Sequence, residues 1–212
     1  LPRPWAAGRD WAPAPGGRAF LINAGQAFGT GHHHTTSGCL AMLDRLGGER
    51  FERAIDLGTG TGLLAFAARH LWPEAQVTAT DIDPVAIEVT RENMGLNGVD
   101  GVALIVADGA RAPAITAGAP YDLIIANILA GPLIAMAPEI AAIAAPRATL
   151  ILAGLLTRQA GQVRAAYAAA GCTVAAAEER GDWTILRLVA ADEPVIDLPS
   201  DDAGREHWAR DI

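Results

Sequence analysis

No apolar run in this 212-residue chain reaches the roughly 18 residues needed to cross a bilayer, although 51% of its residues are hydrophobic. Apolar stretches such as Ile140 to Ala145 and Thr149 to Ala153 are Ala-rich or short and read as core elements, so no membrane partner is expected. Basic charge is scarce. Sixteen Lys and Arg against 24 Asp and Glu leave a net charge of −8, which argues against direct nucleic-acid binding, since that needs clustered cations. The same acidity suits a basic protein partner, because opposite net charges speed encounter, and it also keeps a protein in solution. Cysteine is nearly absent. Cys39 and Cys172 are too few for a disulfide scaffold, lack CxxC spacing and sit in apolar surroundings, so two buried free thiols in a reducing cytoplasm are expected. No charged-then-apolar signal peptide opens the chain, and no internal repeat runs through it.

What is present is a regular alternation. Short β-type runs fall at Arg53–Leu57, Gln76–Thr80, Val102–Val106, Tyr121–Ala126, Thr149–Ala153, Thr173–Ala177 and Thr184–Leu188. Helical patterns lie at Thr35–Leu46, Leu63–Leu71, Pro84–Leu96, Pro132–Ala145 and Thr157–Ala169. Strands alternating with helices predict a mostly parallel sheet covered on both faces. Pro84 and Pro132 suit first helical turns, and Asn97-Gly98 and Gly171 suit helix ends. The last two runs have no helix between them and should form an antiparallel hairpin. Residues 1–20 are Pro- and Gly-rich and read as a linker or a remnant of an N-terminal region. Residues 191–212 are polar and read as an extension. The domain between them spans 21–190. The chain begins with Leu rather than Met, which leads us to expect an upstream part.

The stretch Asp56 to Gly62 follows a strand and opens a helix, where glycine lets the backbone turn sharply and approach a ligand. A dinucleotide fingerprint needs glycine at the first, third and sixth positions, but the sixth is Leu63. Glycine stands instead at Gly58, Gly60 and Gly62, with Asp56 two positions before. That spacing suits a ligand with a charged amino-acid moiety rather than a pyrophosphate. Asp81, 23 residues after Gly58, is placed to grip ribose hydroxyls, whereas Asp83 before Pro84 has a good reading as a helix N-cap. Asp108 closes the third strand run, either as an acceptor for an adenine amino group or as a turn residue before Gly109. Asn127 ends the fourth strand run, where it either holds a ligand or caps the next helix. Three adjacent histidines, His32 to His34, have no Asp, Glu or Cys neighbour to complete a metal site, so no metal is expected. Their glycines and hydroxyls describe a second ligand loop capped by Thr35 or Thr36.

Together these residues resemble the class I methyltransferases, and more narrowly the PrmA family, methyltransferases of a large-subunit ribosomal protein. The matches are AFGTGHHHTT at Ala27–Thr36, DLGTGTGLLA at Asp56–Ala65, DIDP at Asp81–Pro84, RENMGLNG at Arg91–Gly98, ANILAGPL at Ala126–Leu133, and Asp182-Trp183 before the last strand. The glycine loop and acidic pair are generic to the superfamily, while the first and fifth segments are specific. The resemblance implies a Rossmann-like α/β fold with a seven-stranded, mostly parallel sheet, and S-adenosylmethionine as cofactor. Cofactor contacts are implied at Thr36, Gly58, Asp81 and Asn127, with Phe28, Thr30 and Gly31 beside the methyl donor. Asp56, Gly60, Gly62, Ile82 and Asp108 complete the expected cofactor set.

Implied acceptors are lysine side chains and the N-terminal amine of a basic ribosomal protein, met by a monomer. Family members also carry an N-terminal recognition domain, for which this chain has only about 20 residues, so it is expected to be a fragment or to have a shortened substrate module. Direct displacement on an activated donor asks for alignment and exclusion of water. Desolvation helps a lysine ammonium to lose its proton; Asn127 aligns the nitrogen, and His33 is the candidate base. The alternatives are another protein lysine, a nucleobase, a small molecule, or a non-catalytic cofactor-binding module. A nucleobase acceptor usually goes with Asn followed by two prolines and an aromatic, whereas Asn127 is followed by Ile-Leu-Ala.

Overall fold

Apolar runs without a polar face pack best where both sides of a strand are covered, and the middle strands show it. The computed structural model describes residues 17–23 and 34–192. Its strands are β1 (Arg53–Leu57), β2 (Gln76–Asp81), β3 (Val102–Val106), β4 (Tyr121–Asn127), β5 (Ala144–Leu156), β6 (Cys172–Arg180) and β7 (Trp183–Ala190). They form one sheet in the order β3-β2-β1-β4-β5-β7-β6. The first five run parallel, and β7 lies antiparallel between β5 and β6, so the expected terminal hairpin is present.

Because successive side chains point to opposite faces, neighbours along a strand serve different cores. Ala54, Leu123 and Ile151 join one core with α1 (His34–Arg45), α2 (Leu63–Leu71) and Met94 of α3 (Pro84–Asn97). Ile55, Ile124 and Leu152 join the other, with α4 (Pro113–Thr116), α5 (Ala130–Ala135), α6 (Ala137–Ile143) and α7 (Ala160–Ala169). From β1 the chain winds outward through β2 and β3, then returns to β4 on the other side of β1. This reversal between β1 and β4 leaves a crevice at the carboxyl ends of the strands.

Three expectations change. The single helix expected over Pro132–Ala145 is two, meeting at Met136, because Pro138 in the first turn of α6 has no N–H to donate back to the preceding turn. Ala144 and Ala145 belong to β5, since Pro146 drives the residue before it into an extended conformation. Thr35 and Thr36 lie inside the first turn of α1 rather than before it, so neither is its N-cap.

Asp83 does cap α3, accepting from the Val85 amide at 2.8 Å, and Gly98 ends that helix in the left-handed region. Cys39 and Cys172 are buried free thiols. Among the described residues no helix is long and apolar enough to cross a membrane. Residues 17–23 dock as a strap whose Phe20, before the expected domain start at 21, is buried against Phe66.

Candidate active site

At the β1/β4 switch the sheet opens into a cavity of about 660 Å³. Its floor is the glycine loop. The amides of Gly58 and Thr59 both donate to the Thr80 carbonyl at 2.8 Å, and the Gly60 amide donates to Asp81 Oδ2 at 2.9 Å. Gly58, Gly60 and Gly62 have φ of 72°, 59° and 87°, in the left-handed region that a Cβ penalises. A Cβ on Gly58 would collide with the Ile128 side chain, and one on Gly62 would sit 2.5 Å from the Phe66 ring. Gly58 and Gly60 therefore line the cavity, while Gly62 is pressed against α2 and does not reach it.

Asp56 also differs from expectation in place. It is 1% exposed and lies beneath the loop rather than on the cavity wall, with Oδ2 accepting from the Thr59 hydroxyl at 2.6 Å. Its Oδ1 has no hydrogen-bond partner. Burial pushes this carboxyl up to about 7. The Thr59 hydroxyl and the approach of the Ala65 amide hold that rise back, and the Asp81 charge adds to it. Asp56 thus supports the loop from below through Thr59, where sequence spacing suggested ligand contact.

Asp81 stands at the end of β2 in the cavity wall, its Oδ1 accepting from the Asp83 amide at 3.0 Å. Ile82 beside it is 65% exposed and lines the same wall. Asp108, just past the end of β3, lines the cavity next to Gly109, whose φ of 72° makes the turn. Its two readings are therefore compatible. Asn127, at the end of β4, does not cap α5, whose cap position is Leu129. Its Nδ2 donates instead to Thr36 Oγ1 at 3.2 Å, while its buried Oδ1 is left without a partner. Thr36 and Asn127 are 91 residues apart in sequence, and both line the cavity. Phe28, Thr30, Gly31 and His33 lie outside the described residues.

Sequence reasoning missed several wall residues. Trp183, noted only as part of a shared dipeptide, lines the cavity from the start of β7. Met136 and Gly154 do so with no local signal, because they arrive by packing from the α5–α6 junction and from β5. Gly154 has φ 83°, and a Cβ there would collide with the Ile128 carbonyl, so its bareness lets β5 pass beneath the cavity.

These parts suit a ligand with three chemistries. A glycine cradle admits close backbone approach, two carboxylates at strand ends accept from hydroxyl or amino donors, and a buried amide oxygen awaits a donor. The family model described as ribosomal protein L11 methyltransferase (PrmA) matches residues 11–191. The chain belongs to this family. The ribosomal protein L11 methyltransferase of Agrobacterium fabrum is 50% identical over 172 residues, which is 80% of this chain and 59% of that protein. The chain thus spans about three fifths of the length of the curated relatives it matches. The crystal structure of ribosomal protein L11 methylase from Lactobacillus delbrueckii subsp. bulgaricus superposes with a TM-score of 0.74 at 28% identity, covering 82% of this chain and 86% of that one. Magnesium protoporphyrin IX methyltransferase from Synechocystis, solved with bound SAM, shares the fold with a TM-score of 0.58 at 21% identity, over 73% of this chain and 77% of that one. The seven-stranded sheet is that of the class I methyltransferases.

Proposed function

We propose that the chain forms the catalytic body of a methyltransferase that uses S-adenosylmethionine to methylate lysine side chains and the N-terminal amine of ribosomal protein L11. The observation that carries this reading is Asn127, which lines the cavity with its Nδ2 held by Thr36 and its buried Oδ1 unpaired. An amide fixed in this way offers an acceptor for the N–H of an incoming amine, or for the cofactor's own ammonium.

When bound, S-adenosylmethionine supplies a methyl group on a sulfonium, already activated for displacement by a nitrogen lone pair. The chain's task is then to align and to exclude water. Gly58 and Gly60 would let the backbone meet the amino-acid end, Asp81 would accept from ribose hydroxyls, and Asp108 would accept from the adenine amino group. Ile82 would supply an apolar wall to the cofactor, and Thr36 keeps Asn127 in register. The apolar walls at Ile128, Leu129 and Met136 desolvate an amine and so favour the neutral form that can attack. The family resemblance assigns Phe28, Thr30 and Gly31 to the methyl donor, and His33 is the candidate to take the proton.

In this reading residues 21–190 are the catalytic domain, preceded at 1–20 by a linker or the remnant of an N-terminal region whose Phe20 packs on the domain, and followed by an extension at 191–212. The protein acts as a monomer in the cytoplasm on a basic acceptor, without itself gripping nucleic acid. A nucleobase acceptor is disfavoured by Ile128-Leu129-Ala130 after Asn127.

The test combines calorimetry with S-adenosylhomocysteine and transfer of labelled methyl groups to ribosomes that lack the modification. All 16 basic residues of the chain are arginine, so label on lysine reports on the acceptor alone. Methyl-lysine on ribosomal protein L11 is expected. Label on a different protein overturns the acceptor, and absence of binding overturns the cofactor reading.

A further inference from the structure

One face of α3 carries a row of polar side chains that the reaction does not use. Thr90, Asn93 and Asn97, at i, i+3 and i+7, line up on that face. Thr90 Oγ1 donates to the Gly60 carbonyl at 3.0 Å. Asn93, 0% exposed, makes three bonds: Nδ2 donates to the Thr61 carbonyl at 3.0 Å and to the Asn23 carbonyl at 3.2 Å, and Oδ1 accepts from the Asn23 amide at 2.9 Å. Asn97 repeats the double clasp one turn on, taking the Leu21 amide at 2.7 Å and donating to the Leu21 carbonyl at 2.8 Å. The fit is metric. Four helical residues rise about 6 Å and two extended residues about 6.6 Å, so Asn93 and Asn97 meet alternate residues of an extended strap.

Asn93 is thus a side chain that hydrogen-bonds the strap and the glycine loop at once. Only an amide serves here, because the position asks for an acceptor and two donors. Peptide planarity makes the hold directional: fixing the Gly60 carbonyl on α3 turns the Thr61 amide the opposite way. An apolar contact runs beside the polar one. Phe20 of the strap packs on Phe66 at 6.0 Å between centroids, and the Phe66 ring leaves no room for a Cβ at Gly62.

We propose that Asn93 is a positioning residue of the cofactor cavity. Through it the strap at 17–23 and the glycine loop stabilise one another, so that a ligand on the loop tightens the strap, and a docked strap raises ligand affinity by the same factor. This rests on the reading above that the glycine loop holds the cofactor.

The test uses S-adenosylhomocysteine on the whole chain, with calorimetry for affinity and hydrogen exchange for the strap. Leu21 is 70% exposed, so its amide exchanges by local opening of the strap rather than by global unfolding. In the wild type, saturating ligand is expected to slow Leu21 exchange several-fold. Asn93→Ala is expected to bind about tenfold more weakly, as for loss of a buried hydrogen bond, and to lose the ligand effect at Leu21 although Asn97 is intact. Ile115→Val, a cavity in the opposite core, lowers stability and is expected to leave affinity within about twofold. Wild-type binding without any change at Leu21 overturns the proposal alone. So does an Asn93→Ala affinity no lower than that of Ile115→Val. Absence of wild-type binding overturns the cofactor reading and this inference with it. Should Asn93→Ala fail to fold, the wild-type exchange decides, since it needs no substitution.

Discussion

Asp81 has both carboxylate oxygens on backbone amides, Oδ2 on Gly60 and Oδ1 on Asp83, so it shapes the loop that it shares a wall with. Asp81→Ala is expected to weaken S-adenosylhomocysteine binding by about 1–3 kcal/mol, as for a lost bond to a charged group, measured by calorimetry. Equal affinities would remove Asp81 from the ligand's contacts. Asp56 carries a pH dependence. Its folded pKa of about 7 lies above the ordinary value of 3.8, so between the two the folded protein holds a proton that the unfolded chain has released. Stability from this group is therefore fully present below the lower value and lost as pH rises through about 7. Asp56→Asn should remove that slope: from about pH 4 to pH 8, wild-type melting temperatures should fall relative to the variant's. A constant difference across that range would contradict the burial of a titrating carboxyl. Asp56 was legible as part of the loop from its place before the glycines. Its direction was not, because facing the ligand or facing the core depends on how the loop folds back over β2.

At the scale of elements, β1 with its glycine loop was readable because its signals are local. A strand, positive-φ glycines and a helix follow one another within about a dozen residues. The α5–α6 break was readable in principle at Pro138, yet the apolar periodicity running through it suggested a single helix. β5 carries a feature with no local mark. Gly154, left-handed at φ 83°, lies against the Ile128 carbonyl from another strand's loop. Gly154→Ala should cost about 1–3 kcal/mol in backbone strain, plus a collision with that carbonyl, and should displace Ile128 from the cavity wall. Urea unfolding should show the lower stability, and calorimetry a loss of ligand affinity. An unchanged unfolding midpoint would mean that β5 shifts freely beneath the cavity.

Across the whole molecule, a net charge of −8 faces an acceptor proposed to be basic. Attraction between opposite net charges acts on encounter and is screened by salt, whereas contacts inside a cavity are screened much less. Raising NaCl from about 50 to 300 mM should therefore lower kcat/KM for the protein acceptor while leaving affinity for S-adenosylhomocysteine nearly constant. Salt-independent kcat/KM would exclude charge steering. Family, sheet class and the glycine and acidic motifs were determined by sequence alone, because each rests on residues close together in the chain, whose spacing carries the chemistry. The meeting of Thr36 with Asn127, the clasp of Asn93 on Asn23 and Thr61, and the arrival of Trp183 and Gly154 at the cavity were decided only by tertiary structure. Those partners stand from about 25 to more than 140 residues apart, and only the winding of the chain about β1 and β4 brings them within reach of a hydrogen bond or of one shared wall.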